Sequence, residues 1–188
     1  MSANLQKRPF YTLDEYYAIE KASDRRWEYW DGDIVCMSGG SKEYGSITSN
    51  ILELLFDRLK GGKCRVFSEG QAVKTKATAS GFVYPDVSVA CDPAYESHPE
   101  RGIDMLTNPI IIVEVVSDTS GSRDYNAKKD AYLLIPSLND YLIIESDSKL
   151  ISHYQRGPEE WTKRVYNEPS DLIKLANNLE LTLSEVYR

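Results

Sequence analysis

Histidine and cysteine are scarce in this chain of 188 residues, which has two of the former, His98 and His153, and three of the latter. Cys36, Cys64 and Cys91 stand far apart, each beside apolar or strand-like residues, and none forms a C-x-x-C pair. Reduced, half-buried thiols are therefore expected in preference to a thiolate zinc site. Any metal would have to be held by oxygen, which points to magnesium or manganese rather than zinc. Long apolar runs are missing too. The longest, over 110–113 and past Glu114 to Val116, is far short of the ~20 residues that a spanning helix needs. The first residues carry no basic, apolar, small-residue leader pattern, so a cytoplasmic location is expected. Basic residues are in deficit, 22 against 29 acidic ones for a net charge of −7. That balance argues against indiscriminate coating of nucleic acid, whose binding draws its strength from clustered Lys and Arg. Local basic groups remain, at Arg58, Lys60, Lys63 and Arg65; Lys74 and Lys76; Arg123, Lys128 and Lys129; and Arg156, Lys163 and Arg164. Each is read first as ordinary solvated surface.

What is present suits one domain spanning 1–188, long enough and, at 41% hydrophobic, apolar enough to bury a core unaided. Thr12 followed by Glu15 is a capping-box pattern for a helix over 13–21. Residues 27–30 and 33–37 read as a hairpin closed by Asp31-Gly32, which suits the positive φ angles of a type I′ turn. Ser41 caps a helix whose Ile47, Ile51, Leu54, Leu55 and Leu59 recur at helical spacing until Gly61-Gly62 ends it. Period-two alternation and short apolar runs follow at 64–67, 72–74, 83–90 and 110–116, predicting adjacent strands of a central sheet. The proline-, glycine- and charge-rich stretch 92–108 reads as a loop. Residues 118–122 should turn the chain into a helix over 123–134, with Ala127, Ala131, Leu133 and Leu134 for packing, stopped by Pro136. A strand at 141–144 and a small antiparallel extension at 150–154, 161–166 and 172–175 complete a mixed α/β order with a mixed sheet.

Two carboxylates are anomalous in this pattern. Asp86 follows Pro85 within an apolar, β-branched segment, and Glu114 interrupts the most hydrophobic segment of the chain. An ionised carboxylate out of water costs several kcal/mol unless it is paired, protonated or bound to a cation. A salt bridge would explain either one alone. Two in neighbouring strands, with Lys128 and Lys129 beyond, favour a divalent-metal site.

The segments Val83-Tyr84-Pro85-Asp86-Val87, Ile112-Val113-Glu114-Val115-Val116-Ser117, Asp124 to Lys128 with Tyr132, and Tyr141-Leu142-Ile143 resemble successive signatures of the Uma-two family. That family is grouped with restriction endonucleases in the PD-(D/E)XK nuclease superfamily. The strand-turn-strand from Glu28 to Met37 fits the same pattern, and the likeness runs on to 183–187. The resemblance implies a restriction-endonuclease-like core, Mg²⁺-dependent (or Mn²⁺-dependent) cleavage of DNA phosphodiester bonds, and often a homodimer. By that resemblance Asp86 and Glu114 hold the metal, with a main-chain carbonyl near Val115 as a further ligand. The sequence departs from the superfamily at Val116, where a lysine is usual two positions after Glu114; Lys128 is then the implied amine, with Lys129 as substitute. It departs again at Tyr44, where relatives place histidine. Glu28 matches a family glutamate and is an auxiliary candidate, with pairing to Arg25 or Arg26 as the alternative. Gln71 is a further auxiliary candidate.

Three functions are compatible with these residues. The first is an active metal-dependent DNA endonuclease. The second is a catalytically weakened nuclease fold serving as a nucleic-acid-binding or regulatory module, which Val116, Tyr44 and the acidic surface permit. The third is another hydrolase using the same carboxylate pair, since fold does not fix substrate.

Overall fold

The computed structural model of the protein describes residues 10–30, 32–37, 40–99, 102–117 and 122–188. Asp31, Gly39, residues 118–121, where a turn is expected, and the side chains of 122–127, among them Arg123, Asp124 and Ala127, lie outside the described residues.

Helix α1 (Leu13–Ala22) begins at a complete capping box, in which Thr12 Oγ1 accepts from the Glu15 amide while the Glu15 carboxylate accepts from the Thr12 amide. Strands β1 (Trp27–Trp30) and β2 (Asp33–Cys36) pair antiparallel. Gly32 has φ of +88°, and a Cβ there would strike the Phe10 ring, so the turn requires glycine. Helix α2 (Lys42–Leu59) starts at Ser41, whose hydroxyl accepts from the Tyr44 amide, and buries the face carrying Ile47, Ile51, Leu54 and Leu55. Gly61, at φ of +81°, turns the chain beyond its end.

Strands β3 (Cys64–Ser68), β4 (Val73–Lys74), β5 (Phe82–Val83), β6 (Val87–Cys91), β7 (Tyr95–Ser97), β8 (Asp104–Leu106) and β9 (Ile111–Val116) come next. Helix α3 (Ser122–Leu133) then leads to β10 (Asp140–Glu145), β11 (Ile151–Arg156), β12 (Trp161–Tyr166), β13 (Leu172–Leu175), β14 (Leu179–Thr182) and the short α4 (Leu183–Val186). The main sheet runs β12-β11-β10-β9-β6-β3. Its parallel pair, β9 with β10, is joined by α3, the helical crossover that parallel neighbours need. The sheet is covered on both faces. Ile111, Val113 and Val115 of β9 face α2, β13 and β14, whereas Ile112 on the opposite face joins Tyr132, Tyr141 and Ile143 beneath α3. A third cluster, with Tyr16, Tyr29, Phe82 and Tyr84, fastens α1 and the hairpin to the rest.

The structure corrects several sequence expectations. The stretch 92–108 holds two strands, β7 and β8. They escape detection because β7 is three exposed residues with no alternation. Strand β4 does not enter the central sheet, and neither does the start of 83–90. A second sheet of order β5-β4-β8-β7 takes them, because the chain leaves the ladder at Tyr84-Pro85-Asp86. The expected C-terminal extension divides: β11 and β12 extend the main sheet, while β13 pairs with the unforeseen β14. Cys64 and Cys91, expected as reduced thiols, form a disulfide. They lie 27 residues apart but face each other directly in the β3/β6 register, which sequence spacing cannot show. Cys36 is a free, half-buried thiol as expected. Among the described residues no helix is long and apolar enough to cross a membrane.

Several of the basic residues are engaged within the fold. Arg58 pairs with Glu185 at 2.7 Å, Lys74 with Glu96 at 2.5 Å and Lys63 with Asp92 at 3.7 Å. Arg156 donates to the carbonyls of Leu133, Ile135 and Leu138 and covers the Trp161 ring.

Candidate active site

Proline builds the first corner of the site. Strand β6 pairs with β9 only as far as Val87 opposite Val113, since Pro85 has no N–H to continue the ladder. The Val115 amide, beyond that point, would be left without a strand partner. Asp86 supplies one: its Oδ2 accepts from Val115 N at 2.6 Å, and its Oδ1 accepts from the Tyr44 hydroxyl at 2.5 Å. The contact with Val115 is thus made through the amide. Tyr44 reaches Asp86 from the first turn of α2, where the Ser41 cap fixes it.

Alternation along β9 puts Glu114 on the α3 face. There its Oε1 accepts from the Tyr132 hydroxyl at 2.5 Å and lies 3.6 Å from Lys128 Nζ. Lys128 and Tyr132 are four residues apart on α3 and so share a face. Lys128 is closer still to Glu28, at 2.9 Å. Glu28 is held in turn by the Tyr84 amide at 3.0 Å and by Trp30 Nε1 at 3.2 Å. Five segments of the chain therefore meet at Asp86, Glu114, Lys128, Glu28 and Tyr44. Glu28, Asp86 and Glu114 are only 3%, 7% and 6% exposed, which makes their charges costly.

Other candidates lie differently. Gln71 uses its amide to bind the carbonyls of Ala72 and Asp104, at 3.0 and 2.8 Å, a loop-fastening role. Arg26, the alternative partner of Glu28, instead donates to the Glu69 carbonyl and lies over the Tyr84 ring. Lys129 pairs with Asp130 at 3.4 Å. Two contributors were missed as such by sequence reasoning: Tyr132, given no role although the i, i+4 spacing from Lys128 signalled it, and Trp30, two residues from Glu28 and so on the same face of β1.

Burial dominates the electrostatics. It pushes the Glu114 carboxyl up to about 8, with the charges of Asp86 and Glu28 adding to the rise and Lys128 opposing it. Burial likewise raises Asp86, against the hydrogen bonds from Tyr44 and Val115. Burial alone would lower Lys128, but Glu114 and Glu28 outweigh it and hold the ammonium above its ordinary value. Both site tyrosines are raised, first by burial and then by the carboxylate each one meets, and stay protonated donors.

Among the described residues no three Asp, Glu, His or Cys side chains form a ready-made metal cage. Mg²⁺ does not require one, since it is commonly bound by one or two carboxylates and keeps several waters. Asp86 and Glu114 offer hard oxygens with lone pairs to spare. When all three are ionised, the carboxylates facing one ammonium leave two negative charges unmatched among the described residues, which a divalent ion would neutralise; without one, burial makes Glu114 hold a proton instead. In chemistry and in charge, the residues fit such a cation.

A pH dependence follows. Glu114 carries a folded value of about 8 against an ordinary 4.5. Between those values the folded chain binds a proton that the unfolded chain has released, so stability falls as pH rises through that window. Asp86 acts in the same direction. Lys128, raised, keeps its contribution until alkaline pH. The metal-free protein is therefore expected to lose on the order of a few kcal/mol between about pH 5 and pH 8. Thermal melts should show Glu114→Gln flattening that loss and Mg²⁺ reversing it at pH 8. An identical slope in Glu114→Gln would place the titrating group elsewhere.

The mixed sheet and the carboxylate–lysine cluster at the end of its central strand define a protein of the restriction-endonuclease-like α+β class. Comparison with known proteins agrees. The chain belongs to the Uma2 family, described as "Putative restriction endonuclease", whose model matches residues 13–184. It is 31% identical over 192 residues to uncharacterized protein slr1290 of Synechocystis sp. (strain ATCC 27184 / PCC 6803 / Kazusa), covering 100% of this chain and 98% of the relative. A second protein of that strain, uncharacterized protein sll1609, is 29% identical over 80% of this chain and 84% of its own length. Among solved structures, a "putative nuclease belonging to DUF820" from Anabaena variabilis ATCC 29413 matches with a TM-score of 0.71. That match covers 94% of this chain and 97% of that one at 20% identity, a likeness of fold.

Proposed function

We propose that this chain is a nuclease that hydrolyses DNA phosphodiester bonds with Mg²⁺ or Mn²⁺ held by Asp86 and Glu114. The supporting observation is the buried excess of carboxylates around a single ammonium. The family membership and the nuclease-like fold support the same reading, and the Val115 carbonyl is a further candidate oxygen. When bound, a divalent cation polarises the phosphate, acidifies an attacking water and stabilises the departing oxyanion.

The chain's own groups divide the remaining work. Lys128, held charged by Glu114 and Glu28, is a fixed cation for the scissile phosphate and not a base near neutral pH. Glu28, fastened by Trp30 and the Tyr84 amide, holds that ammonium beside Glu114. Tyr44, kept protonated, donates to Asp86 and fixes its orientation. A homodimer would supply two such sites for the two strands of a duplex, and sedimentation of the purified protein measures it.

Incubation with plasmid, single-stranded DNA and RNA, each with Mg²⁺, Mn²⁺ or EDTA, tests the reading. Metal-dependent cleavage of DNA is expected. Binding of nucleic acid without cleavage would instead support the weakened module, which Tyr44 in the histidine position and Val116 in the lysine position favour. Tyr44 offers a graded test. Tyr44→Phe, which deletes the donor to Asp86, should weaken Mn²⁺ binding by roughly 10-fold, the lower end for loss of an outer-shell partner. Tyr44→His can offer an N–H to the same oxygen and should cleave at the parent rate or faster. Loss of cleavage in a folded Tyr44→His protein would show that the tyrosine has a role histidine cannot fill.

A further inference from the structure

The two oxygens of Glu114 are not equivalent. Oε1 receives both groups that α3 sends to the site, the Tyr132 hydroxyl at 2.5 Å and the Lys128 ammonium at 3.6 Å. Tyr132 is fully buried, its ring 5.2 Å from that of Tyr141, which in turn stacks on Tyr154 at 6.0 Å. The ring that carries the hydroxyl is therefore packed against Tyr141 of β10, which is backed in turn by Tyr154 of β11.

We propose that Tyr132 is a positioning residue that reserves Oε1 of Glu114 for helix α3, leaving Oε2 as the single oxygen presented to a cation, and thereby makes the site selective for Mg²⁺ and Mn²⁺ over Ca²⁺. The inference rests on the metal-site reading above. Its physical basis is the contrast between the cations. Ca²⁺ takes six to eight oxygens and often both oxygens of one carboxylate, whereas Mg²⁺ demands an octahedron that carboxylates enter through one oxygen each. A carboxylate with one oxygen already engaged by a hydroxyl and an ammonium is poorly suited to the first and well suited to the second. Deleting the hydroxyl frees Oε1 and lets the carboxylate turn.

The test is the ratio of Mn²⁺ to Ca²⁺ affinity, measured by calorimetry on the full chain without nucleic acid, a quantity that a purely structural tyrosine would not move. The parent is expected to bind Mn²⁺ more tightly than Ca²⁺. Tyr132→Phe, which retains the ring, should melt near the parent and reduce that ratio by roughly 10-fold or more, the scale on which outer-shell partners act. Tyr132→4-aminophenylalanine, which restores an N–H donor at the same place, should return it toward the parent value. In single-turnover cleavage with Mg²⁺ the phenylalanine variant should lose maximal rate and leave the half-saturating DNA concentration unchanged. A parental Mn²⁺/Ca²⁺ ratio in Tyr132→Phe, with Asp86→Asn unable to bind Mn²⁺, would overturn the role of Tyr132 and leave the metal site standing. If the phenylalanine variant does not fold, an altered ratio in the donor-retaining variant overturns the proposal equally. Absence of Mn²⁺ binding in the parent would remove the site reading and this inference together.

Discussion

Lys128→Ala is expected to slow single-turnover cleavage by roughly 100-fold to 1000-fold, about the effect of deleting one preorganised donor at a developing negative charge. Lys128 Nζ lies 2.9 Å from Glu28 and 3.6 Å from Glu114, and removing it takes away the cation that the proposed function sets against the scissile phosphate. It also leaves both carboxylates buried without their partner. Breaking a buried pair from one side destabilises by about 3–5 kcal/mol, and the metal-free variant should melt well below the parent. Mn²⁺ binding should survive, because the carboxylates remain and become more negative, and saturating metal should recover part of the lost stability. Lys129→Ala is the control. One residue on, and so rotated by about 100° around α3, Lys129 pairs with Asp130, and its loss should cost roughly 0.5 kcal/mol or less with no change in rate. Normal cleavage by a folded Lys128→Ala protein would remove the lysine from the mechanism.

The second large effect is loss of metal binding. Asp86→Asn is expected to abolish calorimetric Mn²⁺ binding and metal-dependent cleavage together. The substitution is close to isosteric, and the amide oxygen can still accept from the Val115 amide while its NH₂ group faces the Tyr44 oxygen. What changes is the anionic charge, which burial already makes expensive, as the raised Asp86 value shows. The metal-free variant should therefore be at least as stable as the parent at pH 8, separating loss of a ligand from loss of the fold. Unchanged Mn²⁺ affinity in Asp86→Asn would refute the proposed site.

Much of the fold was legible because its signals are local. The Thr12–Glu15 capping box, the Ser41 cap, the glycine at the hairpin turn and the apolar stripe of α2 involve residues within a few positions of one another. So do the breaks at Gly61 and Pro136. The strands that escaped or were misplaced were those without a local signature. Strand β7 shows no alternation because all three of its residues are exposed. Strands β4 and β5 have two residues each, too few to carry any period. The Cys64–Cys91 bond depends on the register of β3 on β6, and no feature near either cysteine reports it.

The same division runs through the site. The sequence by itself determined that Asp86 and Glu114 needed explaining, because a charge within an apolar strand segment is costly wherever the strand lies. It also made Asp86 available, since Pro85 ends the ladder beside it. Only the tertiary structure decided what answers those charges. Helix phase turned Lys128 inward and left Lys129 to Asp130. The alternation of β1 carried Glu28 and Trp30 to the site instead of to Arg25 or Arg26, and Tyr132 came to Glu114 because both occupy the face beneath α3. Residues 28, 86, 114 and 128 lie far apart along the chain, and their contacts arise from strand register and helix rotation, which depend on all the packing around them and not on any neighbouring residue.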